Sequence, residues 1–177
     1  MRTARLLGAI VILTLLLAAC AAPVAPPESA ATDESAYGGF AIDPPADDEV
    51  VLTIEAGSTV EFTYAELQRL ATVEIDILEP FVSEQQVFLG VPLSELLDVA
   101  AVPTTSRIET VALNDYRYSD TVARWVANGA LLAVFRDGEL IPMDQGGPIR
   151  IVFAEDSAAF TLLDKWNWSL RTISEVG

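Results

Sequence analysis

With 177 residues, 51% of them hydrophobic, the chain can build one sizeable domain with a real core, which excludes a largely disordered protein. A net charge of −16, one lysine (Lys165) and scattered arginines exclude a nucleic-acid binder, since a phosphate backbone needs clustered Lys and Arg. The lack of histidine removes the usual neutral-pH base, the usual zinc ligand and any Ser-His-Asp arrangement.

Arg2 and Arg5 precede an apolar run from Leu6 to Ala19 that is too short for a spanning helix and reads as an export signal. The run ends in Leu17, Ala18, Ala19 and Cys20, which resembles the lipobox of bacterial lipoprotein signal peptides, and Cys20 is the single cysteine of the chain. The resemblance implies cleavage after residue 19, lipidation of Cys20, and a two-chain anchor on the exported side of a bacterial membrane. Removal of residues 1–19 takes away Arg2 and Arg5 and no acid, so the net charge moves from −16 to −18. With Cys20 consumed there is no free thiol and no intrachain disulfide.

From Cys20 to Asp48 the composition (Ala, Pro, Ser, Asp, Glu) is that of an exposed tether, and residues 49–177 carry the domain. The acidic run Asp47, Asp48, Glu49 reads as a solvated edge, without calcium-loop spacing. Val50–Ile54 and Thr59–Phe62 flank Gly57 as a hairpin. Thr63 with Glu66 forms a capping box for a helix carrying Tyr64, Leu67 and Leu70 on one face. Val73, Ile75 and Ile77 alternate with acids as a strand that ends at Leu78, Glu79, Pro80 and Phe81, before a polar loop from Ser83 to Gln86. Leu93, Leu96, Leu97 and Ala100 mark a second helix.

Ile108–Leu113 reads as a strand ending in the polar cluster Asn114, Asp115, Tyr116 and Arg117, either a turn or a site. Asp120 is the expected cap of a helix to Ala127, which Asn128 and Gly129 end. Asp137-Gly138 joins Leu131–Phe135 to Glu139–Ile141 as a hairpin. Gly146 and Gly147, outside any phosphate-loop spacing, have a conformational role before the strand Ile149–Phe153. Phe160–Leu163 suggests a short helix, and Trp166, Trp168 and Leu170 alternate into a last strand ending at Val176. About seven strands and three or four helices without regular alternation give an α+β domain with a mixed β-sheet.

The residues offer binding chemistry rather than catalysis. Phe81, Tyr116, Trp166 and Trp168 are candidates to stack on a planar ring, with core packing the competing role, favoured for Trp168. Glu79, Asn114, Asp115 and Arg150 are the polar candidates: a carboxylate accepts paired N–H groups from a heterocycle edge and Arg150 pairs with an anion. Their competing roles are strand-end turns and a surface ion pair. Lys165 reads as a surface or phosphate-pairing cation.

In order, Gly90-Val91-Pro92-Leu93 with Leu96 and Leu97, Ala112 to Tyr116, Asp137-Gly138, Gly146-Gly147-Pro148 with Arg150, and Trp166, Trp168 and Ile173 resemble the oxidoreductase molybdopterin-binding domain of the sulfite oxidase fold. The resemblance covers about Val50 to Val176 and implies that fold. Catalytic members follow the strand near Leu78 and Glu79 with a cysteine that ligates molybdenum, where this chain has Pro80. Ala154, Glu155, Asp156 and Ser157 replace a glycine-rich stretch, and the family's histidine contacts are missing. The pattern is closer to short exported members without the cysteine, in which an aromatic follows the proline, here Phe81. The resemblance implies a pterin or molybdopterin-like ligand, no metal, and a membrane signalling or redox partner. Three readings follow: a non-catalytic pterin-binding lipoprotein, a molybdopterin oxidoreductase holding its metal without the thiolate, for example through Glu79, and a ligand-free adaptor whose cavity is filled by Phe81 against Trp166.

Overall fold

A computed structural model describes residues 43–177; the export signal, Cys20 and most of the tether lie outside the described residues. Ahead of the first strand, the Glu49 N–H donates to the Ala46 carbonyl at 3.0 Å and closes a turn, and Tyr64 and Ala65 donate their N–H groups to the Glu49 and Asp47 carbonyls, both at 2.9 Å.

Strands β1 (Val50–Glu55) and β2 (Thr59–Thr63) form the expected antiparallel hairpin. Thr63 then caps α1 (Tyr64–Leu70): its hydroxyl accepts from the Glu66 N–H, and the Glu66 carboxylate accepts from the Thr63 N–H at 2.8 Å. β3 (Val73–Glu79) pairs along its length with β4 (Glu84–Pro92), so the hydrophilic stretch from Ser83 to Gln86 is mostly strand and not loop. Cross-strand pairing overrides the polar composition there, and Gln86 is buried. On β3 the buried face is confined to Ile77 and Glu79, while Val73 stays exposed. α2 (Leu93–Val99) buries Leu93, Leu96 and Leu97.

β5 (Arg107–Ala112) turns into β6 (Arg117–Thr121), a strand that the sequence pattern did not single out. Its consequence is that Asp120 is a strand residue and Thr121 is the cap of α3 (Val122–Ala127), accepting from the Arg124 N–H. β7 (Leu131–Arg136) and β8 (Glu139–Leu140) are joined through Asp137 and Gly138, whose φ values of 53° and 84° are those of a primed hairpin turn. β9 (Arg150–Val152) follows the glycine loop. Instead of a helix at Phe160–Leu163 there are turns leading to a 3₁₀ turn at Leu163–Lys165, and the last strand, β10 (Leu170–Val176), begins after both tryptophans.

Among the described residues ten strands form two sheets, ordered β2-β1-β10-β5-β6 and β3-β4-β7-β8, with β9 also paired to β7. β1 and β10 are parallel and bring the two ends of the domain together. One apolar cluster takes side chains from both sheets and all three α-helices, including Leu52, Leu67, Phe88, Trp125, Leu132 and Ile173. The domain is α+β, as the composition and pattern imply, with one mixed sheet, through the parallel β1–β10 pair, and one antiparallel sheet.

Two constraints inside this core are local and sharp. A Cβ on Gly90 would lie 2.2 Å from the Leu132 carbonyl oxygen, where β4 and β7 meet at a register shift. Lys165 is buried, not a surface cation: its Nζ donates to Asp120 Oδ2 at 2.8 Å and lies 4.5 Å from the Trp125 ring. Burial works to raise the Asp120 pKa. The Lys165 hydrogen bond, the Thr121 N–H and the Lys165 and Arg124 charges outweigh it and hold the carboxyl below its usual 3.8.

Gly90→Ala is expected to destabilise the domain by about 3 kcal/mol in urea melts, because a backbone atom cannot swing aside as a side chain can. Asp120→Asn should cost about 3 kcal/mol by leaving the Lys165 charge without its buried counter-ion. Because the folded-state pKa of Asp120 is lowered, its contribution is present above the ordinary 3.8 and is lost as pH falls through the folded value. Asp120→Asn should therefore flatten the acid limb of stability against pH below about 4.

Candidate functional site

Pro80 has no N–H to give to the sheet, so β3 stops at Glu79, and Glu79 itself organises the turn that follows. Its Oε2 accepts from the N–H groups of Phe81 (2.7 Å) and Val82 (2.9 Å), and its backbone carbonyl accepts from Ser83 at 2.8 Å. Its Oε1 accepts from Arg150 Nη2 at 2.8 Å, and both side chains have zero exposure. The Arg150 guanidinium lies 4.1 Å from the Trp168 ring centroid and 5.5 Å from that of Phe88. A buried ion pair thus ties the β3–β4 turn to β9 and gives Trp168 a charged neighbour.

The turn places Phe81 against both late tryptophans, edge to face, with centroids 4.7 Å from Trp168 and 5.9 Å from Trp166. Trp166 is backed by Phe153 and Phe160, and its indole N–H donates to the Phe160 carbonyl at 3.2 Å. Trp168 needs the glycine loop, since a Cβ on Gly146, whose φ is 88°, would sit 3.1 Å from the indole ring. On the other side, Asn114 Oδ1 accepts from the Tyr116 N–H at 3.1 Å, and Asp115 takes a φ of 66° in the same turn. The Tyr116 hydroxyl then donates to the Asp164 carbonyl at 2.7 Å, joining the β5–β6 turn to the 3₁₀ turn.

These three segments enclose an open cavity of about 320 Å³, lined by Phe81, Asn114, Tyr116, Leu163, Asp164, Trp166 and Trp168. Phe81 keeps 43% of its surface exposed and Tyr116 keeps 40%, whereas Trp166 is 3% exposed and serves as a wall rooted in the core. Of the eight sequence-derived candidates, Phe81, Asn114, Tyr116 and Trp166 therefore meet in one cavity. Glu79 and Arg150 are not in it; they pair with each other and hold up its walls. Asp115 sits at the turn beside it, with its carboxylate accepting from Arg171 Nη2 at 2.6 Å. Trp168, for which core packing was the favoured role, lines the cavity as well. Trp166 and Trp168 both lie between the 3₁₀ turn and β10 rather than on a strand, so strand alternation does not account for both rings reaching the cavity. Leu163 and Asp164 had no signal, because only the turn that replaced the expected helix brings them there.

The model of the oxidoreductase molybdopterin-binding domain matches residues 78–174, just over half of the chain. The chain belongs to this family. Among solved structures it is similar to the sulfane dehydrogenase SoxCD from Paracoccus pantotrophus, at 18% sequence identity and a TM-score of 0.56. That match covers 78% of this chain and 40% of the SoxCD chain, so the chain spans well under half of that relative. A search of curated proteins found no match.

Molybdopterin has a pterin ring system, a dithiolene that holds the metal and a terminal phosphate, and the cavity suits these parts unequally. The four aromatic rings suit the ring system. No Lys or Arg lines the cavity for a phosphate, and Arg150 and Lys165 are each engaged by a buried carboxylate. Glu79 has both oxygens engaged, and no cluster of three metal-ligating side chains occurs among the described residues.

Arg150→Met should destabilise the domain by about 3–5 kcal/mol by leaving the Glu79 carboxylate buried alone. The double variant Glu79→Gln/Arg150→Met should recover part of that loss in chemical denaturation, giving a coupling of opposite sign to the single effects.

Proposed function

We propose that this protein is a lipid-anchored, extracytoplasmic and non-catalytic member of the family that binds a pterin-like planar heterocycle and presents the bound state to a membrane signalling or redox partner. The observation that carries the reading is the open aromatic cavity at the end of β3, formed by Phe81, Tyr116, Trp166 and Trp168 with Asn114 at its edge. Such a cavity binds a flat ring by stacking and by edge contacts, without a reacting group. The exposed Phe81 and Tyr116 rings are hydrophobic surface left beside an unfilled space, which weighs against an adaptor that has packed its pocket shut. Pro80, where the resemblance implies a metal-binding thiolate, and Glu79, committed to Arg150, weigh against oxo-transfer.

Attachment rests on the Cys20 motif and the export signal before it. No helix among the described residues is long and apolar enough to cross a membrane.

Titration of the purified protein with a fluorescent pterin should give saturable binding, and Phe81→Ala or Trp168→Ala should weaken it by about 1–3 kcal/mol through lost stacking area. Absence of binding by both fluorescence and native mass spectrometry would remove the reading. Cys20→Ser should move the protein from the membrane fraction to the soluble exported fraction, and an unchanged membrane fraction would remove the lipid anchor.

A further inference from the structure

The charge of the cavity narrows the ligand class beyond a flat ring. Of the seven lining residues, Asp164 is the one with a formal charge at neutral pH, and no basic side chain joins it. The basic groups around the site are engaged elsewhere. Arg150 lies against Trp168 and is held by Glu79, Lys165 points to Asp120, and Arg171 is bonded to Asp115 outside the cavity. Asp164 itself is exposed and enters no salt bridge or side-chain hydrogen bond among the described residues, although its backbone carbonyl holds the Tyr116 hydroxyl. Its field reaches the site: the Tyr116 pKa is raised first by burial, then by the Asp164 charge, then by Tyr118.

A phosphate monoester entering this space would bring a charge of about −1.5 to −2 beside a carboxylate, with no cation to pair with. A neutral or positively charged ring meets the opposite balance, because aromatic faces attract positive charge and a carboxylate accepts from ring N–H groups. We propose that the cavity selects an unphosphorylated nitrogen heterocycle, neutral or cationic, and discriminates against phosphorylated forms of the same ring through Asp164. This deepens the pterin reading and rests on it, while departing from the phosphate-bearing cofactor that the family name implies.

The test compares 6-hydroxymethylpterin with its phosphate monoester on the full-length protein in detergent at low salt. The unphosphorylated pterin is expected to bind about tenfold more tightly or better, and inorganic phosphate should not compete. Asp164→Asn, a change at an exposed side chain, should bring the two affinities to within about threefold, and added salt should narrow the gap in the original protein. Equal or tighter binding of the phosphate ester, or a gap that survives Asp164→Asn unchanged, overturns the selectivity and leaves pterin binding standing. If neither pterin binds, the pterin reading falls and this inference falls with it.

Discussion

The Glu79–Arg150 pair is the interaction on which the site depends. Two opposite charges with zero exposure are costly to bury, and the pair is sustained because each partner has further work: Glu79 also accepts two N–H groups of the following turn, and Arg150 faces the Trp168 ring. The same carboxylate that ends β3 thereby sets the position of Phe81, and the same guanidinium sets the environment of Trp168. Phe81 and Trp168 touch each other at the cavity wall, so the ion pair and the aromatic contact close a loop from β3 through β9 to the segment before β10.

A second closure runs through polar groups. The Asn114 side chain shapes the β5–β6 turn, Tyr116 reaches from that turn to the Asp164 carbonyl, and the neighbouring Lys165 is anchored in the core by Asp120 on β6. The cavity rim is thus fastened on each side by a buried ion pair, with Asp164 left facing out between them. This separation of tasks explains why a domain with 8 of the chain's 10 basic residues, Arg2 and Arg5 preceding it, presents none of them to its cavity. Arg150 and Lys165 hold the frame, and the cavity lining is aromatic with one acid, Asp164.

Much of the fold was legible because its signals are local. The Thr63/Glu66 capping box, the Asp137-Gly138 turn and the 3.6-residue spacing of Leu93, Leu96 and Leu97 each act within a few residues and survive in the structure. β6 was missed because Arg117 to Thr121 is polar and becomes a strand only by pairing with β5, and the extension of β4 back to Glu84 follows from its pairing with β3. The polar candidates divided along the same line. Asn114 and Tyr116 reached the cavity through a turn written in their own segment, whereas the fate of Arg150 depended on a carboxylate 71 positions earlier.

By itself the sequence determined the composition class, most helices and hairpins, the family likeness and the aromatic character of the site, since these follow from local periodicity and residue type. Only the tertiary structure decided which charges are available to a ligand. Whether Arg150 and Lys165 face a phosphate or a buried carboxylate depends on which strands become neighbours, and that is set by long-range pairing and burial rather than by any residue's own preference.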